Sequence, residues 1–252
     1  MYDAAYEGLR GIQRIRSITS RLYLDCFPLG SRLLELNCGT GNDALFLARQ
    51  GMNILATDLS AKMLEEVARK IDGNDLRNAI QTRQLPFDQL GDLRGTLFDG
   101  AYSNLGGLNC TDRICDVAAH LGTLIRPGGH FIAAVMPPFC LWESGAFLLR
   151  LRWRDAVRRF SRRGTIASLH GGSVHTYYFS PRFFRAAFAP YFEHVKTVGL
   201  SIFTPPPNFE RAYARLGSTV RLLERLDDLL CQLPPFHAIG DHYAIVLKRK
   251  AL

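Results

Sequence analysis

Apolar and polar positions change rhythm midway along the chain. In the first half, short apolar runs alternate with helical patterns. Arg32–Asn37 (RLLELN) reads as a short buried strand and Asp43–Gln50 as a helix. Asn53–Thr57 (NILAT) is a second strand. Ser60–Lys70 follows as a helix with Ser60 as its cap, because a serine oxygen accepts the free N–H groups of a first turn. Thr96–Ser103 is another strand, Asp112–Leu124 a helix, Arg126-Pro127-Gly128-Gly129 a turn and His130–Met136 a strand. Such alternation predicts an α/β chain whose parallel sheet is covered on both faces.

After Met136 the pattern lengthens. Leu141–Arg163 predicts one long helix, with Trp142, Ala146, Leu149, Trp153, Ala156, Val157 and Phe160 on the helical period and Gly145 weakening its first turn. Ser173–Phe179 alternates as an extended segment, Ser180–Ala189 is a short helix and Phe192–Leu200 a strand. Three prolines fall in Thr204–Asn208, Ser218–Leu233 is a second amphipathic helix, and His242–Lys248 (HYAIVLK) is a final strand. The chain contains no internal repeat or low-complexity tract.

Composition narrows the class. With 252 residues, 47% hydrophobic and 21% charged, the chain is neither disordered, collagen-like nor a coiled coil. Its longest apolar stretch, Phe131–Trp142, is interrupted by Pro137 and Pro138 and falls short of the ~20 residues of a membrane-spanning helix. The acidic start Met-Tyr-Asp-Ala-Ala-Tyr-Glu does not read as a secretory signal. Cysteines 26, 38, 110, 115, 140 and 231 follow no metal or redox spacing and lie mostly among apolar residues. Free thiols, a cytoplasmic location and no metal site are therefore expected.

The chemistry concentrates in Leu34-Glu35-Leu36-Asn37-Cys38-Gly39-Thr40-Gly41-Asn42-Asp43, a strand ending in a glycine-rich turn that opens a helix. Glycines let a ligand approach the backbone, and the helix start offers free N–H groups. The next strand ends at Thr57-Asp58-Leu59-Ser60, about 20 residues on, where an acid can accept both ribose hydroxyls of an adenosine-containing ligand.

With these residues the chain resembles the class I S-adenosylmethionine-dependent methyltransferases of the small-molecule type. ELNCGTG is similar to the family's first motif and ATDLSAKML to its second. LPFDQL (85–90) resembles the segment after the third strand, FDGAYSNLGGLN (98–109) the fourth-strand motif and LIRPGGHFIAAVM (124–136) the fifth. Asn37 stands where the family usually has glycine, and Gln81 where it commonly has an acid that meets the adenine amine.

The resemblance implies a doubly wound, mostly parallel seven-stranded sheet with a final antiparallel strand and helical lid insertions. It implies one methyltransferase domain over residues 1–252. Residues 1–136 form its cofactor-binding core, 137–191 and 201–240 its lid, and 192–200 and 241–249 its last two strands. S-adenosyl-L-methionine is the implied cofactor and S-adenosyl-L-homocysteine the product. Glu35 and Asn37 would serve the glycine turn or the methionine end, Gly39 and Gly41 would let the chain pass the cofactor, and Asp58 would hold the ribose. Leu59, Met63, Leu85, Pro86 and Phe87 would wall the adenine, with Gln81 at its amine. Asn104 and Leu105 would face the transfer site.

Candidates for proton removal are His170, His175, Tyr177, Glu143, His237 and His242, led by His170 and His175, which flank a Gly-Gly in an aromatic-rich lid segment. Asn104 and Asn109 could orient an acceptor oxygen without any base. The implied reaction is methyl transfer to a small organic acceptor at oxygen, with nitrogen or carbon as alternatives. Residues 104–109 lack an Asn-Pro-Pro-Tyr-like motif, which disfavours DNA and glutamine substrates.

Charge adds one feature. The net +8 divides into −1 over residues 1–136 and +9 over 137–252, and Arg150–Arg163 alone carries seven arginines against one aspartate. This stripe could meet anionic lipid, an acidic substrate or RNA, or simply face water. An RNA methyltransferase and a non-catalytic cofactor-fold binding module are the competing functions. No separate RNA-binding domain is legible, which disfavours nucleic acid.

Overall fold

The computed structural model describes residues 8–169 and 172–251. Its helices and strands run α1 (Arg10–Cys26), β1 (Arg32–Leu36), α2 (Asn42–Arg49), β2 (Asn53–Asp58), α3 (Ala61–Gly73), β3 (Ile80–Gln84), β4 (Phe98–Ser103), α4 (Ile114–Leu124) and β5 (Ile125–Val135). They continue as α5 (Leu141–Leu149), α6 (Trp153–Ala156), β6 (Thr165–Leu169), β7 (Gly172–Thr176), α7 (Pro181–Phe188), β8 (Phe192–Leu200), α8 (Glu210–Leu216), α9 (Thr219–Leu230) and β9 (His242–Arg249).

Seven strands form one sheet in the order β3-β2-β1-β4-β5-β9-β8, and β9 alone runs antiparallel to its neighbours. The side chains of β1 alternate between the two faces of this sheet, which explains its unbroken apolar run. Leu34 and Leu36 pack with Val117 and Leu121 of α4 and with Phe184 and Phe188 of α7. Leu33 turns to the other face, with Ile15 of α1, Leu47 of α2 and Val67 of α3. The sheet is thus a doubly wound α/β sheet with one reversed strand, and every parallel strand points its carboxyl end to the same rim. Because β9 is reversed, its first residues reach that rim too.

Three local features differ from the sequence expectation. The Arg126–Gly129 turn is a bulge inside β5: Phe98 pairs with Ile125 and Gly100 with His130, and the extra residues fold out at Gly128 with φ +82°. An antiparallel hairpin, β6–β7, stands apart from the main sheet, and its first strand had no clear apolar alternation.

The third difference concerns Leu141–Arg163, which is not one helix. The chain leaves helical geometry after Leu149, passes Leu151 at φ +57°, and resumes as α6 and a single 3-10 turn at Arg158–Phe160. Ala156 and the charged Arg159 point inward, whereas Leu149, Trp153, Val157 and Phe160 are exposed. The apolar period mimicked a buried helical face, but the inward anchor of the segment is a guanidinium. No helix among the described residues is long and apolar enough to cross a membrane.

Candidate cofactor and acceptor site

The loop from β1 to α2 turns on three left-handed residues, Asn37 (φ +55°), Gly39 (φ +52°) and Gly41 (φ +76°). Gly41 is required by packing, since a Cβ there would lie 2.9 Å from both γ-carbons of Val67. Gly39 differs: a Cβ there would meet nothing within 4 Å, so open space lies against this turn.

Asp58, at the end of β2, ties the loop down. Its carboxylate accepts hydrogen bonds from Gly39 N at 2.9 Å and from Ser60 N at 2.8 Å. Each carboxylate oxygen retains a lone pair for a ligand hydroxyl. Burial raises the Asp58 carboxyl above its ordinary value, opposed by hydrogen bonds from Ser60, Gly39 and Leu59. Ser60 caps α3 as the sequence predicts, accepting from Met63 N at 3.4 Å, and Met63 itself is half-buried in the first turn.

A cavity of about 260 Å³ opens beside this turn, lined by Asn37, Leu59, Leu85, Pro86, Phe87 and Cys110 among others. Two buried oxygens nearby in sequence, Oε2 of Glu35 and Oδ1 of Asn37, have no hydrogen-bond partner. Glu35 is 3% exposed, and burial together with the charge of Asp43 pushes its carboxyl well above the usual range. The open face of Gly39, the Asp58 carboxylate, the apolar cavity walls and the unpartnered acceptors fit an adenosine carrying an amino-acid end.

Gln81 does not join them. It is exposed in the edge strand opposite Leu55, three residues before the strand ends. Gln84, not singled out from the sequence, pairs with Asp58 in register and donates from Nε2 to Leu59 O at 2.9 Å.

Asn104 and Asn109 are structural nodes rather than free amides. Asn104 Nδ2 donates to Asp43 Oδ2 (2.8 Å) and Thr19 Oγ1 (3.1 Å), while its Oδ1 accepts from Leu105 N, a residue at φ +48°. Arg16 of α1 completes this cluster through Asp43 Oδ1 at 2.6 Å. Asn109, fully buried, donates to Met136 O and Tyr177 O and accepts from Met136 N. It fastens β5 to the segment after β7.

Of the two leading base candidates, His170 lies outside the described residues. His175 is exposed, stacks on Tyr177 at 4.6 Å between ring centroids, and has Nε2 against Arg163 O. It belongs to the hairpin, whose second strand packs against the turn Gly107–Cys110 after β4. His242 occupies the rim, as the first residue of the reversed strand, 7% exposed. Its Nδ1 lies 3.0 Å from Asp241 Oδ2 in an ion-pair contact, and neither buried ring nitrogen has a hydrogen-bond partner. A Cβ built on Gly106 would lie 3.4 Å from both His242 Nε2 and Asn109 Oδ1, which places the imidazole against the loop after β4.

A buried ionic network stands behind His242. Arg159 donates from Nη2 to Glu143 Oε2 (2.9 Å) and Asp241 Oδ1 (2.8 Å), from Nε to Glu143 Oε1, and from Nη1 to Asp241 O. Arg158 adds a bond to Glu143 at 2.9 Å. Burial works against ionised acids here, yet His242 and Arg159 hold Asp241 well below the usual carboxylate range, and Arg158 and Arg159 hold Glu143 below its own.

Comparison with known proteins fits this geometry. A family model described as a methyltransferase domain matches residues 33–129. An S-adenosyl-L-methionine-dependent Diels-Alderase of Talaromyces variabilis is 30% identical over 107 residues, 41% of this chain and 36% of that protein. A malonyl-[acyl-carrier protein] O-methyltransferase of Enterobacter lignolyticus is 30% identical over 147 residues, 56% of this chain and 53% of that protein. The chain thus spans about a third to a half of the length of these curated relatives. The crystal structure of an S-adenosylmethionine-dependent methyltransferase from Mesorhizobium loti shares the fold, with a TM-score of 0.59 at 17% identity over 96% of this chain and 99% of that one. Motifs, sheet order and matched segment agree: residues 33–129 match a methyltransferase domain, and the sheet has the Rossmann-like fold of the class I S-adenosylmethionine-dependent methyltransferases that the chain resembles.

Proposed function

We propose that the protein transfers a methyl group from S-adenosylmethionine to an oxygen of a small organic acceptor, under a lid formed by residues 137–191 and 201–240. The observation that carries the choice of oxygen is the buried, unpartnered Nε2 of His242 beside the Gly106 loop. A hydroxyl is a poor nucleophile until its proton is accepted, whereas many carbon and nitrogen acceptors need no such help.

S-adenosylmethionine, when bound, supplies an activated methyl group on a sulfonium, so no protein nucleophile is required. The chain's own work is positioning, water exclusion and proton removal. Gly39 leaves room for the cofactor, Asp58 accepts its ribose hydroxyls, and Leu59, Leu85, Pro86 and Phe87 wall its adenine. Asp43 and Asn104 set the loop at the methionine end. Asp241 lies 3.0 Å from Nδ1 of His242 and would stabilise the imidazolium formed when Nε2 takes the acceptor's proton.

Incubation with methyl-labelled S-adenosylmethionine and a panel of phenols and enols tests this reading. Label is expected in a methyl ether. Label on nitrogen or carbon, or a cyclised product carrying none, would refute it.

The cofactor side has its own test. Asp58→Ala is expected to weaken S-adenosylhomocysteine binding by about 1–3 kcal/mol, the range for hydrogen bonds to a charged group. Acidity should act in the same direction. Below the raised value of Asp58 the free protein holds a proton that the ligand must expel, so affinity falls as pH falls, by up to about tenfold per unit. Calorimetry across acidic pH should show this slope in the wild type and a flatter, weaker profile in Asp58→Asn. Equal affinities at every pH would remove Asp58 from the ribose.

A further inference from the structure

We propose that residues 148–166 dock the protein onto a bilayer rich in anionic lipid. Seven large apolar side chains of this stretch stand in water: Leu148 (40% exposed), Leu149 (88%), Leu151 (74%), Trp153 (64%), Val157 (56%), Phe160 (57%) and Ile166 (74%). Monomeric soluble proteins rarely leave so contiguous a set uncovered without a partner.

The charges on the same stretch choose the partner. Arg152 pairs with Asp155 and Arg158 with Glu143, but Arg150, Arg154, Arg162 and Arg163 have no ion-pair partner among the described residues. Along Leu149-Arg150-Leu151-Arg152-Trp153-Arg154, apolar and cationic side chains alternate. At a bilayer surface both kinds are satisfied at once. Guanidinium groups reach lipid phosphates while Leu, Val and Phe enter the acyl boundary and tryptophan sits at the interface. A soluble acidic ligand would pair the arginines and leave the apolar side chains in water.

The stretch is also firmly mounted. Ser144 Oγ donates to Ala156 O at 2.9 Å, binding α5 to α6, and Arg159 pins the segment to Asp241. The face is therefore preformed, and its anchor lies next to His242. The break at Leu151 is what turns Leu149 and Trp153 outward instead of burying them along one helix.

Flotation with two vesicle types tests the proposal, one of phosphatidylcholine and one containing about a third phosphatidylserine. Wild-type protein should bind the second and not the first, and binding should weaken as salt is raised. Arg154→Gln with Arg162→Gln should lower partitioning about 25-fold, five-fold for each arginine removed from an anionic surface. Leu149→Ser with Trp153→Ser should abolish it. Calorimetry with S-adenosylhomocysteine should give wild-type affinity in all variants, so a failure of docking is separable from a failure of the cofactor reading. Equal binding to both vesicles, no binding even at low salt, wild-type behaviour of the variants, or salt-sensitive retention on RNA without vesicle binding would each overturn it.

Discussion

Arg159→Met is expected to destabilise the protein by about 3–5 kcal/mol, the range for removing one partner of a buried ion pair. Arg159 is 6% exposed and answers two buried carboxylates, Glu143 at 7% and Asp241 at 5%. Without the guanidinium, Glu143 keeps Arg158, but Asp241 keeps only His242 beside it. Arg159→Lys should fall between the two, because an ammonium preserves charge but not the fork that bridges both acids.

The loss should depend on pH, with a definite sign. Both acids are held below their unfolded values, so the stability they contribute is present at neutral pH and is lost as pH falls through those lowered values. In Arg159→Met their values rise, they protonate earlier, and the unpaired charge disappears. The gap between wild type and variant should therefore be widest near neutrality and narrow as pH drops toward the ordinary carboxylate range of about 4. Urea denaturation at neutral and acidic pH measures it. A variant as stable as the wild type at neutral pH would show that the network contributes no net stability.

The cofactor half of the fold was legible because its signals are local. A buried parallel strand is an apolar run, its turn is marked by Gly39 and Gly41, and its acid follows at the end of the next strand. Each can be read within about ten residues, and each lies where expected. Gln81, found by counting back from Leu85, lies inside β3 rather than at its end and does not line the cavity, because the strand continues to Gln84.

The second half of the chain resisted for a different reason. Periodicity assumes that apolar residues face inward. Between residues 148 and 166 that assumption inverts, and Leu151 adopts a left-handed angle that nothing in a leucine announces. His242 carried a legible clue, however. Asp-His opens a strand predicted to run antiparallel, and reversal alone brings its first residue to the rim where the parallel strands end. The pairing of that dyad with Glu143 and Arg159, some 80 to 100 residues earlier, has no sequence signature.

His242→Gln is expected to lower kcat by about 10²–10⁴-fold, the contribution of a well-placed general base. Glutamine keeps much of the volume and a polar tip beside Asp241, so the fold should survive. Affinity for S-adenosylhomocysteine should be unchanged, because His242 lies at the Gly106 loop and not at the Gly39 turn or the cavity of Leu59 and Leu85. That separation of kcat from cofactor binding is what a merely structural histidine would not give, since loosening β9 would affect both. His242→Ala sharpens the test. It leaves a void of about an imidazole against Asp241, and added imidazole should restore part of kcat with saturation. The acceptor found in the label-transfer panel serves as substrate for both variants. An unchanged kcat in His242→Gln, or a loss in His242→Ala that imidazole cannot relieve while the protein remains folded, would mean that the proton leaves by another route.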